Sequence, residues 1–203
     1  LTNVQGTLEA KGGLYGGDGG KIETSGHQVY LDGIKISASA AQGSSGTWLI
    51  DPYDVVIGTS SSGTAYSNDF VPGTSSYILA SNINTSLNAG TNVSISTGSN
   101  AAGTLTLSSA ISKTSGGNAT LSLTGGTINI NQTISGSSPS GSLGITLDAQ
   151  TINSNYLITV NGGALDVTTV NASTLGAVAG SGQFNLHGYG ITLNDSRNGN
   201  YTG

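Results

Sequence analysis

The stretch TLSLTGGTINI, residues 120 to 130, places an apolar side chain at every second position on both sides of a glycine pair. Leu121 and Leu123 alternate with small polar residues before the glycines, and Ile128 and Ile130 do so after them. Alternation with period two is typical of a β-strand with one buried face, and glycine adopts the positive φ angles that tight turns need. The stretch therefore predicts two short strands joined by a corner.

The same alternation recurs along the chain, for example at residues 104–107, 145–147 and 164–167. Successive strands are spaced by roughly twenty residues, which is the spacing of a solenoid whose coils bury their apolar side chains against one another. A helical period is not expected anywhere. These features predict an all-β fold, a right-handed parallel β-helix (solenoid), with the handedness taken from the rule for parallel crossovers. About eight or nine coils would form a rod on the order of 40 Å long.

An antiparallel sandwich is the alternative architecture. It requires two-residue hairpin turns such as Asn-Gly between longer strands. Asn161-Gly162 and Asn198-Gly199 are such pairs, but most of the strand spacings suit coil corners better. Inward ladders of stacked amide side chains are also expected in a solenoid, and the candidates are Asn88, Asn92, Asn129 and Asn131.

The composition limits the partners of this chain. Only 7% of its 203 residues are charged, its formal net charge is -5 and it contains no cysteine. A basic surface for nucleic acid is absent from the sequence, and no apolar run approaches the length of a membrane span, so neither a nucleic-acid partner nor membrane insertion is expected. Gly, Ser, Thr and Asn make up more than half of the chain. We expect one segment, residues 1–203, stabilised by repetition and hydrogen bonds.

Residues 58–82 interrupt the strand rhythm and lie beside several aromatic residues. They predict a loop excursion from the solenoid, and long loops in compact folds are often functional. The rings could pack back onto a coil. Alternatively, Tyr66 or Tyr77 could stack on a sugar while Asn68 and Asp69 bind its hydroxyl groups, which makes these four residues candidates for glycan binding.

The stretch GTWLIDPYDVVI, residues 46 to 57, combines the one tryptophan with two nearby carboxylates. Trp48, Asp51 and Asp54 could form an acid pair beside a sugar-stacking ring. The structural interpretation is favoured: an inward-facing strand ends at Pro52, which has no amide hydrogen, and the two aspartates accept backbone N–H bonds at the corner. No catalytic residues are predicted, and the chain is not expected to be an enzyme.

The rival function is that of a β-helical carbohydrate-active enzyme, a polysaccharide lyase or hydrolase. Such enzymes need acidic side chains on neighbouring coils, and Asp148, Asp166 and Asp195 are spaced so that at most two could share a face. His27 and His187 have no other ligand-type residue at a suitable spacing. We therefore predict neither a metal site nor a cofactor.

Several motifs in fixed order resemble those of a known family. They are GGDGGKIETSG at 16–26, VYLDG at 29–33, GTWLIDPYDVVI at 46–57, SLNAGTNVSIST at 86–97 and ISKTSGGNATLSL at 111–123. Together they are similar to filamentous-haemagglutinin-like adhesins, with the nearest likeness to the high-molecular-weight adhesins of Gram-negative two-partner secretion. The likeness spans roughly residues 12 to 135, and beyond that only the general β-helix rhythm remains.

The resemblance implies a shaft segment of a larger secreted protein, found at the bacterial cell surface or released. It implies one partner during export, an outer-membrane two-partner secretion transporter acting through a region absent here. It also implies attachment to host cells, surfaces or other bacteria, with a surface glycan or receptor as a further possible partner. The family does not specify whether this segment itself binds one.

Overall fold

The fold is a parallel β-solenoid of about seven turns. The computed structural model describes residues 1–59, 75–98 and 102–194 and the backbone of strand residues 201–202. In chain order the elements are β1 (Thr2–Asn3), β2 (Gly6–Glu9), β3 (Lys21–Ser25), β4 (Val29–Tyr30), β5 (Ile34–Ser37), β6 (Thr47–Asp51), β7 (Val55–Gly58), β8 (Ser76–Leu79), α1 (Ala80–Asn88), β9 (Asn92–Ser96), β10 (Thr104–Leu107), β11 (Ile111–Lys113), β12 (Ala119–Ile130), β13 (Ile134–Gly136), β14 (Leu143–Ser154), β15 (Ile158–Thr169), β16 (Ser173–Gly176), β17 (Val178–Gly188), β18 (Ile191–Asn194) and β19 (Tyr201–Thr202).

Each turn has three sides, which we call faces 1, 2 and 3. Strands of one face pair in parallel with the strands of the turns before and after them. Strands β12 and β14 run round the corner from face 1 to face 2, and β15 and β17 run from face 3 to face 1. The predicted parallel solenoid is therefore confirmed, and the antiparallel sandwich is excluded by the strand pairing.

The order of strands along each face follows from the pairing. Face 1 consists of β3, β6, β9, the first part of β12, the first part of β14, the second part of β15 and the second part of β17. Face 2 consists of β1, β4, β8, β7, β10, the second parts of β12 and β14, β16 and β18. Face 3 consists of β2, β5, α1, β11, β13 and the first parts of β15 and β17, followed by β19.

The core is a set of apolar rows that run along the solenoid axis. Because the strands pair in register, inward side chains of successive turns lie directly over one another. One row of face 1 contains Ile22, Trp48, Val93, Leu121, Ile145, Leu165 and Phe184. Trp48 and its neighbours in the middle of this row are fully buried. Each coil covers the apolar side chains of the next, as the sequence spacing predicts.

Two sequence expectations are wrong in part: that residues 58–82 form a loop throughout, and that no helical period occurs in the chain. Residues 76–79 form strand β8, with Ser76 and Ile78 buried, and the chain then forms helix α1. The helix buries Ala80, Ile83 and Leu87 at helical spacing, so a helical period was present and was overlooked. The part of the excursion at 60–74 lies outside the described residues. Since β7, β8 and α1 all belong to one turn, the chain completes fewer turns than the eight or nine expected.

Candidate functional site

The outward side of face 1 is a continuous surface of mainly polar side chains that the strand pairing defines. By register, its outward side chains form three axial rows. Row A is Lys21, Thr47, Asn92, Thr120, Gly144, Ala164 and Gln183; row B is Glu23, Leu49, Ser94, Ser122, Thr146, Asp166 and Asn185; row C is Ser25, Asp51, Ser96, Thr124, Asp148, Thr168 and His187. Small hydroxyl and amide side chains occupy the middle of each row, and the charged ones lie towards its ends.

A groove of about 620 Å³ runs along row A, where face 3 turns into face 1. It crosses successive coils, from residues 43–45 through 117–120 to 163–166. At the corner beside the groove the backbones of adjacent coils are in close contact, because a Cβ at Gly163 would overlap the carbonyl oxygen of Leu143 in the preceding coil. The wall is therefore backbone, with hydroxyl and amide groups along its rim.

Asparagine side chains join one coil to the next beside this groove. Asn92 donates from Nδ2 to the carbonyl oxygen of Ser45 at 3.0 Å and accepts from the amide of Thr120 at 2.8 Å. Asn118 accepts from the amide of Ser142 at 2.9 Å. These amide groups satisfy backbone donors and acceptors at the corners, where the strand ladder is interrupted.

The amide ladders lie on the surface and at corners. Asn129 accepts from the side chain of Asn153 at 3.0 Å, so this pair does stack between coils as expected. Asn129 is nevertheless half-buried on the outward side, and Asn131 is exposed. Asn88, at the end of α1, accepts from the amides of Thr114 and Ser115 instead of stacking. The expectation of inward ladders is wrong because the interior of the coils is filled by apolar rows.

The structural role that was predicted for the stretch at 46–57 holds for Trp48 and Asp54 but not for Asp51. Trp48 is fully buried and its Nε1 donates to Oγ1 of Thr24 at 3.0 Å. Asp54 accepts from the amide of Thr104 at 2.6 Å, across to the next coil. The carboxylate of Asp51 is instead directed to the surface in row C. Trp48 cannot stack on a ligand because no part of it reaches solvent.

A pair of carboxylates that the sequence analysis missed lies at the start of face 1. Glu23 and Asp51 are on adjacent coils, in neighbouring rows. Burial, together with the negative charge of Glu23, raises the pKa of Asp51, whereas hydrogen bonds from Ser25 and Lys21 and the charge of Lys21 lower the pKa of Glu23. Lys21 is 3.3 Å from Glu23, and both side chains are about half exposed, so the cluster is well solvated. The coil spacing of 26 residues between Lys21 and Thr47 was the signal that could have revealed it.

The carboxylates considered for an enzyme lie at the other end of face 1. Asp148 is in row C, and Asp166 is in row B of the next coil, at the edge of the groove. Asp166 accepts from Nδ2 of Asn185 at 2.6 Å. Asp148 and Asp166 therefore share face 1. Asp195 lies outside the described residues, so the expectation that at most two of the three aspartates share a face stays a prediction.

The candidate glycan-binding residues are separated from this surface. Tyr77 is in β8 on face 2, half-buried, and is paired in register with Tyr30 of β4. Tyr66, Asn68 and Asp69 lie outside the described residues, so their grouping with Tyr77 stays a prediction. The strand register therefore places Tyr30 beside Tyr77, so Tyr30 is a second aromatic residue at that candidate site.

The histidines are far apart. The His27 ring stacks on that of Tyr53, with ring centroids 5.1 Å apart, at the corner between faces 1 and 2. His187 ends row C in the last described coil. Within residues 1–59, 75–98 and 102–194, no three His, Cys, Asp or Glu side chains are grouped so that they could hold a metal ion.

Comparison with known proteins gives no assignment. No protein-family model matches the chain, and the search of curated proteins found no match. Within the described part of the chain, no helix has the length and apolar character needed to cross a membrane.

Proposed function

We propose that this chain is a shaft segment of a secreted or surface-displayed bacterial adhesin of the filamentous-haemagglutinin-like kind. In this role it acts as a spacer that holds the attachment sites for host cells, surfaces or other bacteria away from the bacterial surface. The motifs at 16–26, 29–33 and 46–57 support the family, and strands β3, β4 and β6 lie within them.

The observation that carries the proposal is the continuity of the apolar rows. The row from Ile22 to Phe184 passes through all the coils of face 1 without a polar interruption. A stack of this kind transmits load along its axis through parallel strand ladders, while its outward rows carry mainly uncharged hydroxyl and amide groups. Those properties suit a spacer that extends from a cell surface.

The way in which the coils depend on one another supports export by an outer-membrane two-partner secretion transporter. Each coil buries its apolar side chains only against adjacent coils, so the solenoid can form in sequence as the chain emerges. The chain contains no cysteine, so folding after export requires no disulfide formation. The transporter is proposed as a partner of the larger protein, outside residues 1–203.

Antibodies raised against the purified chain would test the location. We expect them to label intact, unpermeabilised cells of the source bacterium or to detect the protein in the culture medium. Monovalent fragments of the same antibodies should reduce attachment if the segment is part of an adhesin. Labelling that requires permeabilised cells, with none in the medium, would contradict the proposal.

The positions of Asp148 and Asp166 favour one second candidate, a carbohydrate-active enzyme. Their Cα atoms are one coil apart and offset by two residues along the strand, which is a separation of roughly 8 Å. Two carboxyl groups of a glycosidase lie about 5 to 10 Å apart. Incubation with acidic and neutral polysaccharides, followed by detection of new reducing ends or unsaturated uronates, would test it. Activity that Asp166→Asn abolishes would favour the enzyme over the shaft.

A further inference from the structure

The three faces differ in how many elements they contain between the same two coils. Between β3 and β9, face 1 has one strand, β6. Over the same interval face 2 has two strands, β8 and β7, between β4 and β10. Face 3 has helix α1, which contacts both β5 and β11. Two sides of the solenoid therefore contain more material than the third.

The additional strand on face 2 and the helix on face 3 add a similar length along the solenoid axis. Neighbouring strands are about 4.8 Å apart, so an additional strand lengthens face 2 by about 4.8 Å. A helix with its side chains is about 10 Å across, roughly 5 Å more than the strand it replaces on face 3. Faces 2 and 3 are thus each longer than face 1 by about one strand spacing.

The additional elements are inside the stack. Strand β8 pairs with β7 over four residues, and the inward Ile78 is fully buried. Helix α1 buries Ile83 and Leu87 completely. Asn82 donates to the carbonyl oxygen of Leu31 in the coil before the helix, and Asn84 accepts from the amide of Ser112 in the coil after it. The helix is held on both sides and takes up axial length.

We infer that β7, β8 and α1 form a wedge that bends the axis of the solenoid towards face 1. An excess of about 4.8 Å over a thickness of roughly 10 Å between opposite sides corresponds to a bend on the order of 25°. The wedge makes face 1 concave and faces 2 and 3 convex at this turn. The groove along row A lies at the corner between the concave face 1 and the convex face 3.

Distances between spin labels would test the bend. The chain contains no cysteine, so introduced cysteines can be labelled without background. Labels at Ser25 and Asp148 are separated by four strand steps on face 1, about 19 Å, and labels at Tyr30 and Asn153 by five steps on face 2, about 24 Å. We expect the face 2 distance to exceed the face 1 distance by about 5 Å.

A matched pair of labels beyond the wedge provides the control. Ser96 with Thr168 on face 1, and Thr106 with Thr174 on face 2, are each separated by three strand steps and should give equal distances. Equal distances for the two pairs that flank the wedge would overturn the inference, since the additional strand would then bulge outwards without lengthening face 2.

A deletion would show which element is responsible. Removal of residues 55–75 joins Asp54 directly to Ser76, whose amide already donates to the Asp54 carbonyl oxygen at 2.8 Å. Because β8 pairs in register with β7, it can take the place of β7 against β10. We expect the Tyr30 to Asn153 distance to fall by about 5 Å with the face 1 distance unchanged. An unchanged Tyr30 to Asn153 distance in a folded variant would show that β7 does not lengthen face 2. If the variant does not fold, the label pairs in the full chain still test the bend.

Discussion

Among the described residues, Lys113 is the one charged residue in the buried interior. Its side chain is fully buried, and Nζ donates to the carbonyl oxygens of Ser115 at 2.6 Å and Gly116 at 3.2 Å. The next coil has Gly136 at the position in register with it, which leaves room for the long side chain. Burial lowers the pKa of Lys113, because the charged form loses its hydration.

This lowered pKa predicts a rise of stability with pH. Between the folded pKa and the ordinary lysine value of about 10.4, the unfolded chain binds more protons than the folded one, so the free energy of unfolding increases as pH rises through that window. Urea unfolding from neutral pH to about pH 10 should show this increase. Lys113→Met removes the titrating group and should flatten that part of the profile. An identical pH profile in the variant would show that Lys113 is not its source.

In the sequence, Asp54 resembles one member of a catalytic acid pair, but its role in the fold is structural. Its bond to the amide of Thr104 joins two coils. Asp54→Ala should lower the free energy of unfolding by about 1.5 to 3 kcal/mol, because a charge-assisted hydrogen bond is lost. Asp54→Asn keeps an acceptor oxygen and should recover a large part of the loss.

Asp148→Ala is the control for Asp54, because Asp148 is exposed on row C. Its effect should stay within about 0.5 kcal/mol, as is usual for surface substitutions. Equal losses for Asp54→Ala and Asp148→Ala in chemical denaturation would contradict the structural role of Asp54.

Helix α1 shows why the elements of a solenoid are harder to predict than its fold class. The sequence ASNINTSLN is rich in Asn, Ser and Thr, which are weak helix formers, and no side chain caps its N-terminus. Its apolar positions, Ala80, Ile83 and Leu87, have helical spacing, but the run is short. Contacts with β5 and β11 stabilise the helix, and these depend on the neighbouring coils.

Glycine at the corner of β15 illustrates a constraint on the strands. A Cβ at Gly163 would overlap the carbonyl oxygen of Leu143, whereas a Cβ at Gly117 would meet no atom within 4 Å. Gly163→Ala should therefore destabilise the fold by about 1 to 3 kcal/mol, as overpacking does. Gly117→Ala should be close to neutral. Thermal unfolding would compare the midpoint temperatures of the two variants. Equal midpoints would show that adjacent coils can move apart to accept the extra methyl group with little loss of stability.

At the scale of the whole molecule, stability should depend little on salt. The ion pairs of the described residues are Lys11 with Glu9 and Lys21 with Glu23, and their side chains are roughly half exposed. Such pairs contribute little and are screened by salt, while buried apolar rows are not. We expect the free energy of unfolding to change by less than about 1 kcal/mol between about 20 and 300 mM NaCl. A larger loss would mean that charge, and not apolar stacking, stabilises the solenoid.

The sequence by itself determined the class of fold and the inward rows. Alternation such as that of Leu121 and Leu123 can be satisfied only by strands with one buried side, and a repeat of about twenty residues requires that coils cover one another. It also favoured a structural role for Trp48 and Asp54, because Pro52 has no amide hydrogen to continue the strand and aspartate accepts backbone N–H bonds at such a corner. These are local properties, and each is visible in a short stretch of chain.

Only the tertiary structure decided which distant residues share a surface. The pairing of Glu23 with Asp51, the groove beside Asn92, and the place of β8 between β4 and β7 depend on the number of residues in every intervening corner. Glycine-rich corners tolerate many lengths at similar energy, so their lengths do not reveal the register. The register forms when apolar rows align, which is a property of neighbouring coils together.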